Sequence, residues 1–136
     1  MSASTLYANI ITKVAATGLT AAQTILEPSS MPDTGMDRFF TVTMQSRNTN
    51  KYRDKAVVRI QHDVTISFLK RLKMSDQDGS YKIALSTEES IISAMLDVSD
   101  FASERVLYSS TSRTLNSTKE YILINILFNI EQDFSI

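Results

Sequence analysis

The chain has 136 residues, 43% of them apolar and 21% charged, with a net charge of −1, which is the composition of one ordinary globular domain. It holds no cysteine and one histidine, which excludes disulfides, cysteine nucleophiles and thiolate metal centres and gives no support to a zinc site. The longest apolar run, Tyr121 to Ile130, is broken by Asn125 and Asn129 and is too short to cross a bilayer, and the N-terminal MSASTLYANIITKV has no basic start, so no signal peptide is expected.

Ser4 to Ala16 reads as a helix, with Leu6, Ile10, Ile11 and Val14 at helical spacing and Gly18 as its stop. Leu19 to Asp37 holds both prolines and Gly35 and reads as a loop, pinned to the core at Ile25 and Leu26. Arg38 to Ser46 alternates as a strand, with Phe40, Val42 and Met44 on one face and Thr41 and Thr43 on the other. RNTNKYRDK, Arg47 to Lys55, is a polar, basic loop, so a long hairpin to the next strand is the economical connection.

That next strand, VVRIQHDVTISFLKRL from Val57 to Leu72, alternates for about a dozen residues, or near 40 Å at about 3.3 Å each. Val58, Ile60, Val64, Ile66 and Phe68 share a face with His62. A strand this long should project beyond the body or run where something else covers it. Lys73 to Ser80 reads as a turn, and Tyr81 to Asp97 as a second helix with Ala84, Leu85, Ile91, Ile92, Met95 and Leu96 as its stripe. Ser86 to Glu89 matches a capping box, which would start the helix later; a start near Gln77 that tolerates Gly79 is the other alternative.

Glu104 to Arg113 and Lys119 to Glu131 read as two further strands joined through TLNST. In the last, Ile122, Ile124, Ile126, Phe128 and Ile130 form one face. Tyr121, Leu123, Asn125, Leu127 and Asn129 form a half-apolar second face that a helix or another subunit should partly cover. The order α-β-β-α-β-β predicts a single α+β domain over residues 1–136, a four-stranded, mainly antiparallel sheet with two helices packed on one face.

No nucleotide, phosphate-loop, zinc-protease or serine-hydrolase motif occurs. Asp76, Asp78 and Gly79 open like a calcium loop, but the closing glutamate comes one or two residues late, at Glu88 and Glu89. Glu88 and Glu89 are adjacent on a helix and point apart, which is wrong for an acid/base pair. His62 lies between Ile60 and Val64 on the core side, with no cleft or orienting partner in view. A neutral structural histidine, hydrogen-bonded to backbone or to a polar residue of the facing helix, is the expectation, and no catalytic, metal or cofactor site is expected anywhere. Arg47, Lys51 and Arg53 around Tyr52 have the residue types that contact a nucleic-acid backbone and stack on bases, and equally those of a solvated hairpin tip.

Charge is unevenly spread. Residues 38–73 hold nine Lys and Arg against Asp54 and Asp63, and residues 74–104 hold seven Asp and Glu against Lys82. The two blocks either neutralise each other within one subunit or join neighbouring copies, with Arg59, Lys70, Arg71 and Lys73 as the basic side and Glu88, Glu89, Asp97, Asp100 and Glu104 as the acidic side.

The strings PDTGMDRFFTVTM, RIQHDVTISFLKRL, SDQDGSYKIALSTEESIISAML and EYILINILFNIE, in that order and with these strand lengths, resemble the tail terminator (tail completion) proteins of long-tailed bacteriophages over most of the chain. The resemblance implies a homohexameric ring at the head-proximal end of the tail, in a virion assembled in the host cytoplasm. Such a ring stops tube polymerisation, contacts the tail tube protein and the head-completion protein, and lets DNA pass non-specifically through its lumen. It implies no catalytic residue and no cofactor, and it makes Arg47, Lys51, Tyr52 and Arg53 a loop for a partner or the lumen. A head-side neck or connector ring and a small monomeric binding module are the alternatives.

Overall fold

The computed structural model describes residues 3–21, 39–48, 57–97, 104–115 and 120–135. Its elements are α1 (Ala3–Ala15), β1 (Thr20–Ala21), β2 (Phe39–Asn48), β3 (Val57–Arg71), α2 (Gln77–Leu96), β4 (Arg105–Leu115) and β5 (Tyr121–Ser135). The class is α+β. The sheet has five strands, in the order β1-β2-β3-β5-β4, and not four. The added strand, β1, lies parallel to β2 at Phe39 and Phe40, which makes the sheet mixed; all other neighbours are antiparallel. Two residues are too few to show an alternation, which is why Leu19 to Asp37 reads as loop; Ile25 and Leu26 lie outside the described residues.

The α1 stripe is buried, with Leu6, Ile10 and Val14 fully enclosed. The chain leaves the helix through Gly18, whose φ of 107° lies in the left-handed region that glycine adopts freely. β2 and β3 form the long hairpin, in register from Phe40↔Phe68 to Asn48↔Ile60, so β2 runs two residues past Ser46 and carries Arg47 in its ladder. β3 and β5 pair over fifteen residues each, about 50 Å of strand.

α2 starts at Gln77, the earlier of the possible starts. Asp76 is its cap, and its Oδ1 accepts from the Gly79 amide at 2.9 Å. A Cβ at Gly79 would meet the Asp76 carboxylate, so a larger residue there would have to displace the capping side chain. Ser86 lies inside the helix and donates no cap. Of the expected α2 stripe, Ala84, Ile91 and Met95 are buried, Leu85 and Ile92 half-buried, and Leu96 is exposed at the last turn.

The core is one layer. Phe40, Val42, Val64, Ile66, Phe68 and the even-numbered residues Ile122 to Ile130 face α1 and α2 and pack with Leu6, Ile10, Val14, Ala84, Ile91 and Met95. Each such large side chain contributes about 1.5–3 kcal/mol by leaving water. Among the described residues the opposite face has a small cluster of Leu69, Tyr121 and Leu123. Leu123, Asn125, Leu127 and Asn129 are half-buried there.

Candidate interaction surfaces

His62 is fully buried, in the middle of the sheet. Its Nε2 lies 2.9 Å from Oε1 of Gln132 on β5, and its Nδ1 lies 2.7 Å from the hydroxyl of Ser46 on β2. That pattern suits the Nε2–H tautomer, which donates to Gln132 and accepts from Ser46. The partners come from the two flanking strands of the sheet, not from backbone or a facing helix. Both ring nitrogens are thus hydrogen-bonded to side chains of the neighbouring strands, and the imidazole is fully buried. Among the described residues no group of three His, Asp or Glu side chains comes together.

The charged residues are distributed differently in space than along the sequence. Glu88 is buried, and its carboxylate takes two hydrogen bonds from the Arg113 guanidinium on β4, Nε–Oε1 at 2.8 Å and Nη2–Oε2 at 2.7 Å. This bidentate pair pins α2 to β4 and raises the Arg113 pKa above its ordinary value, first through the hydrogen bond to Glu88. Glu104 is also buried. Glu88 and Glu104 therefore serve the interior of the subunit, and the expectation that they form a rim for a neighbour is corrected. Glu89 and Asp97 are exposed; Asp100 lies outside the described residues.

The basic block is likewise split. Arg59 is exposed near the start of β3, while Lys70, Arg71 and Lys73 sit at its other end, beside Asp76 at the start of α2. Eleven to fourteen residues of a strand and its exit separate the two groups, on the order of 40 Å. At the Lys70 end the residues line a pocket of about 180 Å³ together with Asp76, Gly79, Ser80 and Ile83. Basic and acidic blocks thus meet at one corner of the same subunit. Of the expected loop site, Arg47 belongs to β2, and Lys51, Tyr52 and Arg53 lie outside the described residues.

Three polar devices escaped the sequence reading. Lys13, buried on α1, donates to the carbonyls of Ala94 at 3.0 Å and Asp97 at 2.8 Å and so closes the C-terminal end of α2. Its position between Ile10 and Val14 on the apolar stripe was the available signal. Ser46 and Gln132, the partners of His62, carry no local pattern. Arg113 faces the helices because β4 has a bulge between Tyr108 and Ser110, which shifts the face of every later residue.

Among the described residues two kinds of surface are left uncovered. The first is the sheet face opposite the helices, with an open cleft of about 390 Å³ between Thr43, Gln45, Asp63, Thr65 and Leu127. The second is the pair of sheet edges. β4 has no partner on its outer side among the described residues, and β2 has one only at Phe39 and Phe40. No residue of β4 is buried, and Leu107, Tyr108 and Leu115 are large apolar side chains left exposed on it.

No protein-family model and no curated protein matches the chain. Among solved structures, a crystal structure from Akkermansia muciniphila is similar, with a TM-score of 0.41 and 11% identity over 94% of this chain and 51% of that one. The chain spans about half the length of that structure.

Proposed function

We propose that this chain is a structural subunit of a long-tailed bacteriophage. It forms a ring at the head-proximal end of the tail tube, ends tube polymerisation and offers the surface to which the head attaches. The observation that supports this reading is the one-sided cover of the sheet. β3, about 50 Å long, outruns α2, which at twenty residues is about 30 Å. Cover is complete from His62 to Phe68 and already thins at Ile60. Among the described residues the subunit leaves one sheet face and two sheet edges without a covering element, and such different surfaces on different sides are what head-to-tail association in a ring uses. The strings that resemble tail terminators fall on β2, β3, α2 and β5, the elements that build this arrangement.

In this role the β2–β3 hairpin works against a partner or the lumen, and the buried His62 with Ser46 and Gln132 holds the strands together. The test is electron microscopy of the purified protein mixed with tail tubes. Closed rings seated on one end of each tube, with tube growth stopped, are expected. Free monomers that leave tube growth unchanged would refute the reading, and binding to filled heads in place of tubes would move the ring to the head side of the neck.

A further inference from the structure

We infer that β4 of one copy pairs antiparallel with the free edge of β2 in the next copy, so that neighbouring subunits share one continuous sheet. The inference deepens the ring reading and rests on it. Its starting point is that an edge strand exposes a row of unpaired amides and carbonyls, which natural proteins guard with charge, proline or shortness. β4 has eleven residues, and Leu107 to Ser112 contains no charge and no proline. Of the two cations of β4, Arg113 is turned onto Glu88, and Arg105 stands at the first residue of the strand, outside the uncharged stretch. Leu107 and Tyr108, 41% and 43% exposed, lie on opposite faces of β4, so that a strand added outside it covers both.

The chain carries the matching half of this joint. β2 is paired to β1 only at Phe39 and Phe40, and from Thr41 to Ser46 it too has neither charge nor proline. Each step from β2 through β3 and β5 to β4 is antiparallel, so β2 and β4 run in opposite directions. A copy placed beside β4 in the same orientation therefore presents β2 antiparallel to it, with both helical layers on the same side. A second copy is thus the occupant whose direction and edge chemistry are both given by this sequence. Two uncharged edges meet without like-charge repulsion. A straight register would bring Arg47 and Arg105 into one row, and the stagger that closing a tilted sheet requires parts them.

The test uses the absence of native cysteine. Thr43 and Ser110 are exposed, lie on the sheet face away from the helices and share one row across the sheet. The double variant Thr43→Cys/Ser110→Cys is treated, at dilution and after its melting curve is matched to the parent, with a short flexible bis-maleimide that tolerates a shift of register. Gln45→Cys/Leu107→Cys, which share the next row on that face, serves as a second pair should the first not fold. The expected result is a covalent ladder from dimer to the full ring in the double variant, and none in either single variant. Dimers from Ser110→Cys alone would mean that two β4 edges pair about a two-fold axis, which overturns the inference. A double variant that light scattering shows to be assembled yet does not cross-link also overturns it and leaves the ring standing. A folded protein that stays monomeric at every concentration overturns both.

Discussion

β5 and β4 are hydrogen-bonded neighbours over most of their length, yet one is the most enclosed strand of the molecule and the other the barest. Ile122, Ile124, Ile126, Phe128 and Ile130 are each at most 1% exposed, whereas no residue of β4 is buried. The difference is set by position and by composition together. β5 has a strand on both sides and helices above, and ILINILFNI supplies a large apolar group at every second position. β4 has a strand on one side, and LYSSTSRTL supplies small polar groups. The lesson is that β4 is a finished strand only on its inner side. Its stability is borrowed from β5 and from the clamp to α2, and among the described residues its outer side has no strand partner.

The largest effect should come from β5. Ile126→Ala removes a fully enclosed side chain and should cost about 2–5 kcal/mol, read as a fall in the denaturation midpoint. Ser110→Ala on β4 should change stability by less than about 0.5 kcal/mol. Equal costs at the two sites would end the comparison. Next in size is the clamp. Arg113→Ala leaves the Glu88 carboxylate buried without its partner and should cost about 2–3 kcal/mol, part of which Glu88→Gln in the same chain restores. Were Arg113→Ala silent in a urea titration, β4 would not depend on α2.

His62 should matter less and only for folding. His62→Leu strands the amide oxygen of Gln132 and should cost about 1–2 kcal/mol, while His62→Leu/Gln132→Leu recovers much of it. A folded His62→Gln protein should assemble like the parent; loss of assembly without loss of stability would give His62 a role beyond the sheet. Smallest of all is the effect of salt. The charged blocks meet within a subunit, and both edges are uncharged at their centres, so assembly should be nearly indifferent to ionic strength even at 1 M, where the Debye length is about 3 Å. Dissociation in high salt, followed by light scattering, would return the joint to charge pairs such as Arg71 with Glu89.

Much of the fold was legible because alternation and helical spacing are local. The residues of β3 and β5, the buried stripe of α1 and the core side of His62 all follow from periods of two or near four. What was not legible depends on partners distant in sequence. The two residues of β1 gain their strand character from Phe39 and Phe40. Glu88 looks like a surface acid until the β4 bulge turns Arg113 toward it. Lys13 looks like a stray cation until the end of α2, more than eighty residues on, is placed beside it. The charged blocks are divided for the same reason: Arg59 and Lys73 are close in the sequence but lie toward opposite ends of β3. Candidate surface residues were therefore harder to read than core residues, since a core position is set by its own strand and a surface position by what the fold brings next to it.

The most direct test of a ring-forming subunit is the mass of the purified protein in solution across a wide range of concentration. The account predicts one discrete multiple of the chain mass, which electron microscopy shows to be a closed ring and which persists on dilution. A single-chain mass at every concentration, in protein whose melting curve shows it folded, would contradict it.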